Sequence, residues 1–339
     1  MLTKLASGLA RCVAIAALLA GQVNAAAADT AVGISAGSER STLIDAARDL
    51  AVLVAPDARV SLDVLASPGS VENVRRLRGG RSVALALVQA DVFQAYLDLA
   101  ATGDAEAAEL VRPLRAVMPL FSEEIHFVVR ADSPMKFVDE IRDARINLGE
   151  RGSGSALTAA SLYRLMFEAP IPDARALNYA EEDALVRLVT DRSVDVVVLV
   201  GGQPLRLLED MRPEARQHVK LLRFSEGHAA RDRVLQRYAR TTLRADSYPN
   251  LLARDVEALA VRIVLMTTDD APASQRDPLA RFAGALCRNL DRLKRHGHPK
   301  WREIEPRLND LGRGWVYHAA TSRSIASCIA DRVSGTVVR

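Results

Sequence analysis

The chain has 339 residues, of which 49% are apolar and 26% are charged, and its formal net charge is +3. A chain of this length and composition can bury a large core, and the length favours roughly two domains over one. Its basic residues are spread among acids and its aromatic content is only 4%, so the sequence does not support nucleic-acid binding, which uses basic patches and stacking rings.

The first 25 residues have the pattern of a secretory signal peptide. Lys4 and Arg11 precede the apolar run CVAIAALLAG, which is followed by Val-Asn-Ala ending at Ala25. A retained transmembrane anchor is the alternative, but the run is only about half of the roughly 20 residues that span a bilayer. We therefore expect cleavage after residue 25 and export to a bacterial periplasm.

The elements that follow alternate between strands and helices. TAVGIS, RVSLDVLA and SVALALVQADV have the composition of strands, and the last stops at a polar pair. STLIDAARDLAVLV, with Ser41 as its cap, and SVENVRRLRGG have apolar residues at helical spacing. This order predicts a parallel α/β sheet.

A second set of elements continues the α/β pattern. EIHFVVRADS, ARINLGE and VDVVVLVGG are predicted strands, ARALNYA is an extended piece, and FVDEIRD, SALTAASLYRLMFEA and DALVRLVTDRS are predicted helices. VKLLRF and VRIVLMTT are predicted strands that return the chain to the first lobe. PLARFAGALCRNLDRLKRHG and SRSIASCIADRV then form a helical end.

The predicted architecture is therefore α/β with two lobes and a ligand cleft between them. The first lobe comprises residues 26–124 and 224–339, and the second comprises residues 125–223. Ligands of open α/β sheets bind at the carboxyl ends of the strands, where the polar loops of both lobes would meet.

Ser35 lies in Gly33-Ile34-Ser35-Ala36-Gly37, which matches the G-x-S-x-G spelling of a hydrolase nucleophile elbow. Such an elbow follows several strands, because the oxyanion-hole loop precedes it. Here nothing between the expected cleavage site and Ser35 could form that hole, and no histidine stands in a diagnostic context. We interpret the run as a ligand-binding turn, with an ordinary glycine turn and a secreted serine hydrolase as alternatives.

The loop of residues 149–155, GERGSGS, runs into a predicted helix. Free backbone N–H groups at a helix N-terminus, joined by the hydroxyls of Ser153, Ser155 and Thr158, suit a carboxylate or phosphate. The loop lacks the Gly-Lys-Ser/Thr ending of a Walker A motif. A plain turn capped by serine is the alternative.

Two more polar clusters occur where strands end. Ser70 and Asn73 lie in SPGSVEN, and Gln89 and Asp91 follow a strand directly. Asn73 and Asp91 could equally be helix caps. The shared position of these clusters at strand ends is the stronger indication of a ligand site.

Metal and cofactor chemistry is not predicted. His296-Gly297-His298 lacks the helical i, i+4 spacing and the partner acid of a zinc protease motif. Two cysteines, Cys287 and Cys328, remain after the expected cleavage, and they are far apart in sequence. In an oxidising compartment they could form a disulfide, and two buried thiols would explain the same count.

An ordered set of motifs resembles the TAXI-type solute-binding subunits of TRAP transporters. The set consists of SPGSVENVRRLRGG, VALALVQADVFQAY and LRAVMPLFSEEIHFVVRADSPMKFVDEIRDARINLGERGSGSALTA. The resemblance covers nearly the whole expected mature chain. The resemblance implies a type II periplasmic binding fold without a cofactor or catalytic activity. It further implies that a small anionic solute, such as glutamate or another carboxylate, passes to a sodium-coupled permease.

The resemblance also implies which residues contact the solute. By position these are Ser35, Gly37, Ser38, Ser70, Asn73, Gln89, Asp91, Ser153, Gly154, Ser155 and Gln203. We expect a monomer whose partners are this solute and a TRAP membrane permease. A ligand-sensing subunit for a membrane signalling protein is the alternative binding function.

The first loop departs from the family pattern. The family usually has Gly-Gly-x-Tyr-Tyr-Pro there, and this chain has Gly-Ser-Glu-Arg-Ser-Thr at residues 37–42. Arg40 could replace aromatic stacking with a charge-assisted bond to a solute carboxylate, or it could be solvated. We expect the specificity of this protein to differ from its relatives at this loop.

Overall fold

The computed structural model describes residues 30–79, 82–225, 227 and 229–335. The signal peptide predicted for residues 1–25 lies outside the described residues. Within the described ranges, no helix has both the length and the apolar character that crossing a bilayer requires.

The first lobe begins as the sequence predicts. Its strands are β1 (Thr30–Ser35), β2 (Val60–Leu65) and β3 (Val83–Gln89), and its first helices are α1 (Thr42–Leu53) and α2 (Ser70–Gly79). β1 pairs in parallel with both β2 and β3. Every residue of β3 is buried, as expected for a central strand covered on both faces. Ser41 caps α1, because its hydroxyl accepts a hydrogen bond from the backbone N–H of Ile44.

Two long strands connect the lobes. They are β4 (Leu114–Arg130) and β10 (Val256–Thr268), and they pair antiparallel from Leu259 opposite Ile125 to Thr268 opposite Leu114. The sequence prediction recognised only the second half of β4. It also missed the two helices before β4, α3 (Ala90–Ala101) and α4 (Ala105–Val111).

The second lobe is built on the far half of β4. Its short strands are β5 (Ile146–Asn147), β6 (Ala176–Leu177), β7 (Val196–Gly201), β8 (Val219–Leu221) and β9 (Ala239–Leu243). Its helices are α5 (Gly154–Phe167), α6 (Glu181–Val189), α7 (Arg206–Glu209), α8 (Ala215–His218) and α9 (Arg231–Leu235). The sheet order β2-β1-β3-β10-β4-β7-β5-β6 joins both lobes, with β8 beside β4 and β9 beside β10.

The lobe boundary differs from the prediction, which returned the chain to the first lobe at residue 224. Strand β8 instead pairs with the second-lobe end of β4. Phe224, Val234 and Tyr238 are buried in one second-lobe core cluster, and Tyr248 is buried in the cluster on the other face. The chain returns to the first lobe only within β10, because the apolar side chains of the segment before β10 are buried in the core of the second lobe.

The C-terminal segment covers the first lobe. It contains α10 (Ala273–Arg288), α11 (Leu290–His296), a 3₁₀ turn (Pro299–Glu303) and α12 (Ala319–Val333). Phe282, Trp301 and Ile325 are buried in the same core cluster as Ile34 of β1. Cys287 of α10 and Cys328 of α12 form a disulfide, which decides between the two alternatives that the sequence left open.

We expect Cys328→Ser to lower the free energy of unfolding by about 4 kcal/mol, because the cysteines are 41 residues apart and the bond removes the corresponding loop entropy from the unfolded chain. Urea denaturation of the two proteins measures the difference, and the wild type with reductant should match the variant. Two alkylatable thiols in the native, unreduced protein would contradict the disulfide.

Candidate ligand-binding site

A cavity of about 290 Å³ lies between the two lobes. Its first-lobe wall comes from the loops after β1 and β2, the end of β3 and the middle of β4. Its second-lobe wall comes from the start of α5, the start of α6 and the segment around α7. The cavity therefore lies where the strand-end rule places a ligand.

Eight of the thirteen residues predicted to contact a solute line this cavity. They are Gly37, Ser38, Arg40, Ser70, Gln89, Ser153, Gly154 and Ser155. Ser153 caps α5, since its hydroxyl accepts from the backbone N–H of Ala156, and the first turn of α5 thereby faces the cavity.

The lobes touch each other at two glycines beside the cavity. A Cβ atom on Gly154 would lie 1.6 Å from Oε1 of Gln89 and 3.1 Å from Cβ of Ser70. Gly69 has a φ of +135°, and a Cβ there would lie 3.0 Å from the backbone nitrogen of Gly154. Glycine is needed here for close approach of the lobes as well as for any ligand contact.

Ser35 and Asn73 do not line the cavity, and their hydrogen bonds stabilise the loops that form its first-lobe wall. The fully buried hydroxyl of Ser35 donates to Oδ1 of Asn73 at 2.6 Å, and the hydroxyl of Ser67 donates to the same oxygen at 2.7 Å. The Asn73 amide donates to the carbonyl oxygens of Ala36 and Leu87. A buried hydroxyl committed to an amide oxygen is not placed to attack a substrate, so the geometry does not favour the hydrolase alternative.

Asp91 and Thr158 also lie outside the cavity lining, where they join the lobes. Oδ2 of Asp91 in α3 accepts hydrogen bonds from the Thr158 hydroxyl of α5 at 2.7 Å and from the Tyr238 hydroxyl at 2.8 Å. Burial raises the pKa of Asp91, and these two hydrogen bonds oppose the rise. The hydrogen bond between Asp91 and Thr158 crosses the cleft, and neither residue lines the cavity.

Gln203 stabilises the region where β4 passes between the lobes. Its backbone N–H donates to Oε2 of Glu124 at 2.8 Å, and its side-chain amide donates to Oε1 at 3.1 Å. Nζ of the buried Lys300 lies 2.8 Å from the same Oε1. Gln203 is thus a structural partner of a buried ion pair and does not line the cavity.

Arg40 pairs with two acids of the second lobe. Its guanidinium lies 3.2 Å from Oδ2 of Asp210 and 3.6 Å from Oε1 of Glu182, both in the second lobe. The side chain is half exposed at the mouth of the cavity. Arg40 therefore bridges the lobes, a role that the sequence analysis did not consider.

The acidic residues of the cavity are not among the residues predicted from the sequence. Five described lining residues carry a carboxylate, namely Glu39, Glu123, Glu150, Glu181 and Glu182, whereas Arg40 is the only described lining residue with a cationic group. The available signal was Glu123-Glu124 in the middle of a largely apolar strand, where a charged pair is unusual.

Two of these carboxyl groups have strongly raised pKa values. Burial raises the pKa of Glu123 to about 8, with repulsion from Glu124 adding to it and Lys300 opposing it. Burial, together with the charges of Glu182 and Glu150, raises the pKa of Glu181 to about 7. Both carboxyls are partly protonated near neutral pH when no counter-charge is present.

We expect Glu123→Gln to raise the melting temperature by a few degrees at pH 8, on the order of 2–4 °C, and to change it little near pH 4. Between the ordinary carboxyl pKa of 4.5 and the folded value of about 8, the unfolded chain loses the proton that folded Glu123 keeps, so stability falls as pH rises. The neutral amide removes this loss.

Differential scanning calorimetry across this pH range measures the effect. Glu124→Gln is the matched control, and we expect it to lower the melting temperature throughout, because buried Lys300 loses the more buried of its two ion-pair partners and keeps only the half-exposed Glu303. Equal effects of the two variants at pH 8 would contradict the different environments of the two carboxyls.

The chain matches the NMT1-like family over residues 34–307. Among solved structures it is similar to a TctC solute-binding protein from Polaromonas, with 15% identity over 90% of this chain and 98% of that chain and a TM-score of 0.44. It is also similar to the arginine-, lysine-, histidine-binding protein ArtJ from Geobacillus stearothermophilus, with 11% identity over 84% and 98% of the two chains and a TM-score of 0.44. For the ligand-binding component of an ABC-type import system from Staphylococcus aureus, the identity is 12% over 90% and 92%, with a TM-score of 0.45. Since the family match spans well over half of the sequence, the chain belongs to the NMT1-like family.

Proposed function

We propose that this protein is a periplasmic solute-binding protein that encloses a small polar molecule between its lobes. The observation that carries the proposal is the polar cavity of about 290 Å³, which takes its walls from both lobes. Two paired strands, β4 and β10, are the continuous connection around which such lobes can open and close.

Capture requires contacts that exist only in the closed form. Thr158 and Asp91 bond across the cleft, and the backbone N–H of Gly202 donates to the Thr42 hydroxyl at 3.0 Å. Arg206 lies 3.1 Å from Asp45 at the outer edge. A solute that contacts both walls adds affinity for the closed form alone and shifts the population toward it.

The acceptor of the solute would be a membrane transporter. The resemblance to TAXI-type subunits suggests a sodium-coupled TRAP permease. The predicted signal peptide and the disulfide between Cys287 and Cys328 both fit the oxidising periplasm.

The anionic solute that the resemblance implies needs revision. The first turn of α5 can hold a carboxylate group of the solute through its backbone N–H groups. Glu123, Glu150 and Glu181 form no ion pair with a described residue, and in their ionised forms they would repel a molecule of net negative charge. The one described lining cation, Arg40, is already paired with Asp210 and Glu182. Glutamate or a dicarboxylate is therefore not the solute that this lining favours.

Native mass spectrometry of gently purified protein tests the proposed function directly. We expect a fraction of the protein to carry one small molecule, and its removal by unfolding and refolding should lower the melting temperature. Readdition at 100 times its dissociation constant should restore about 2.7 kcal/mol of stability. The proposal would be contradicted if no bound molecule were found and if addition of a cell extract did not change the melting temperature of the refolded protein.

Gly154→Ala should weaken binding of the co-purified molecule tenfold or more while leaving the lobes folded. The added methyl group meets Gln89 and Ser70 across the cleft and opposes closure, whereas alanine is favourable at a helical position. Tenfold corresponds to about 1.4 kcal/mol of lost closed-state free energy. Isothermal titration calorimetry measures the affinity.

Gly79→Ala is the control, because a Cβ at that helical glycine meets nothing within 4 Å. Its affinity should equal that of the wild type. Unchanged affinity in Gly154→Ala would show that the close approach of the lobes is not required for binding.

A further inference from the structure

Three of the five acids that line the cavity, Glu123, Glu150 and Glu181, form no ion pair within the described part of the chain, whereas Glu39 pairs with Arg48 and Glu182 pairs with Arg40. The neighbouring Glu124 is paired with Lys300 and accepts two bonds from Gln203. Among the described residues, none forms an ion pair with Glu123 or Glu181. Glu123 and Glu181 therefore face the cavity without a counter-charge from a described residue.

Glu123 is the more enclosed of the two. Its side chain is 2% exposed and lines the cavity from the middle of β4. Within the described part of the chain, its side chain accepts one hydrogen bond, a long one from Nε2 of Gln89 at 3.5 Å. Gln89 is itself 3% exposed and lines the cavity, and its Oε1 atom has no hydrogen-bond partner in the described part of the chain. Two buried polar side chains at this wall are therefore incompletely satisfied, which is costly unless a ligand completes them.

Glu181 approaches from the opposite wall. It begins α6 of the second lobe and is partly buried, with Glu182 beside it and Glu150 from the loop before α5. The charge of Glu181 is close enough to act on Glu123. Carboxyls from both lobes thus converge on one small volume, where closing the cleft would increase their repulsion.

We propose that the solute carries an ammonium or guanidinium group and that Glu123 and Glu181 bind this group from opposite lobes. The inference rests on the proposed solute-binding function and names its substrate class. A cation between the two carboxylates replaces their repulsion with attraction, and it does so only when the lobes are closed. The same solute can place a carboxylate at the first turn of α5, as a basic amino acid would.

Binding of such a cation displaces protons. The charged and polar groups near Glu123 are Glu124, Lys300, Gln89 and Glu181. Burial, with repulsion from Glu124 and Glu181, raises the pKa of Glu123 to about 8. Glu181 faces Glu182 and Glu150, which with burial raise its pKa to about 7, and Arg40 at the cavity mouth is paired with Glu182. A bound cation favours the ionised carboxylates, so affinity should rise with pH between 6 and 8 by up to about tenfold per pH unit for each proton released.

The experiment uses five probes and the full protein freed of its co-purified molecule. L-arginine, L-lysine and putrescine are the cationic probes, and L-glutamate and succinate are the anionic probes. Thermal shift identifies binding, and isothermal titration calorimetry in buffers of different ionisation enthalpy counts protons. We expect at least one cationic probe to bind with proton release at pH 7 and the anionic probes not to bind.

Glu181→Gln should lower the affinity for the cationic probe at least tenfold and reduce the number of protons released on binding. Glu305→Gln is the matched control, because Glu305 is exposed and pairs only with Arg307 on the surface. Its affinity and proton count should match the wild type.

The outcomes separate the inference from the proposed function. Binding of an anionic probe, with proton uptake or none, would overturn the inference that the solute is cationic, and it would leave the proposed solute-binding function intact. A co-purified molecule whose exact mass requires a formula without a basic nitrogen does the same, whichever probes bind. If no probe binds and no molecule co-purifies, both the inference and the proposed function fail.

Discussion

The antiparallel pairing of β4 and β10 is the constraint on which the rest of this structure depends. The two strands run from one lobe into the other, and the flanking strands of each lobe attach to their opposite ends. At the crossing, β4 carries Glu124, whose carboxylate is buried with Lys300 and Gln203. This buried ion pair disfavours displacement of β4, because a displacement would leave an ion unpaired in an apolar environment.

The same crossing places Glu123 and Glu124 in contrasting surroundings. Adjacent residues of a strand point to opposite faces, so one carboxylate meets Lys300 and the other meets the cavity. The fold can therefore satisfy the first within itself and leave the second for a ligand. In this pair of neighbours, Glu124 therefore stabilises the fold and Glu123 is available to a ligand.

The strand-end rule correctly located the cavity, but it did not separate the residues that face it from those behind it. Ser35 and Asn73 lie at strand ends as predicted, yet their side chains bond each other and the loop backbone. Ser70 and Gln89 occupy equivalent positions in sequence and do line the cavity. Which way a polar side chain points depends on the packing of the loop, and the spacing of residues along the chain does not encode that packing.

Sequence patterns alone predict the α/β order, most of the helices and strands, the presence of two lobes and the loops that meet between them. These features follow from local periodicity and capping, which act within a few residues. Three features emerge only in the folded chain: the point where it returns to the first lobe, the pairing of Arg40 with Glu182 and Asp210, and the position of Glu123 and Glu181 at the cavity without an ion pair to a described residue. Each of these depends on contacts between residues far apart in sequence, and the electrostatic state of a carboxylate is decided by what surrounds it after folding.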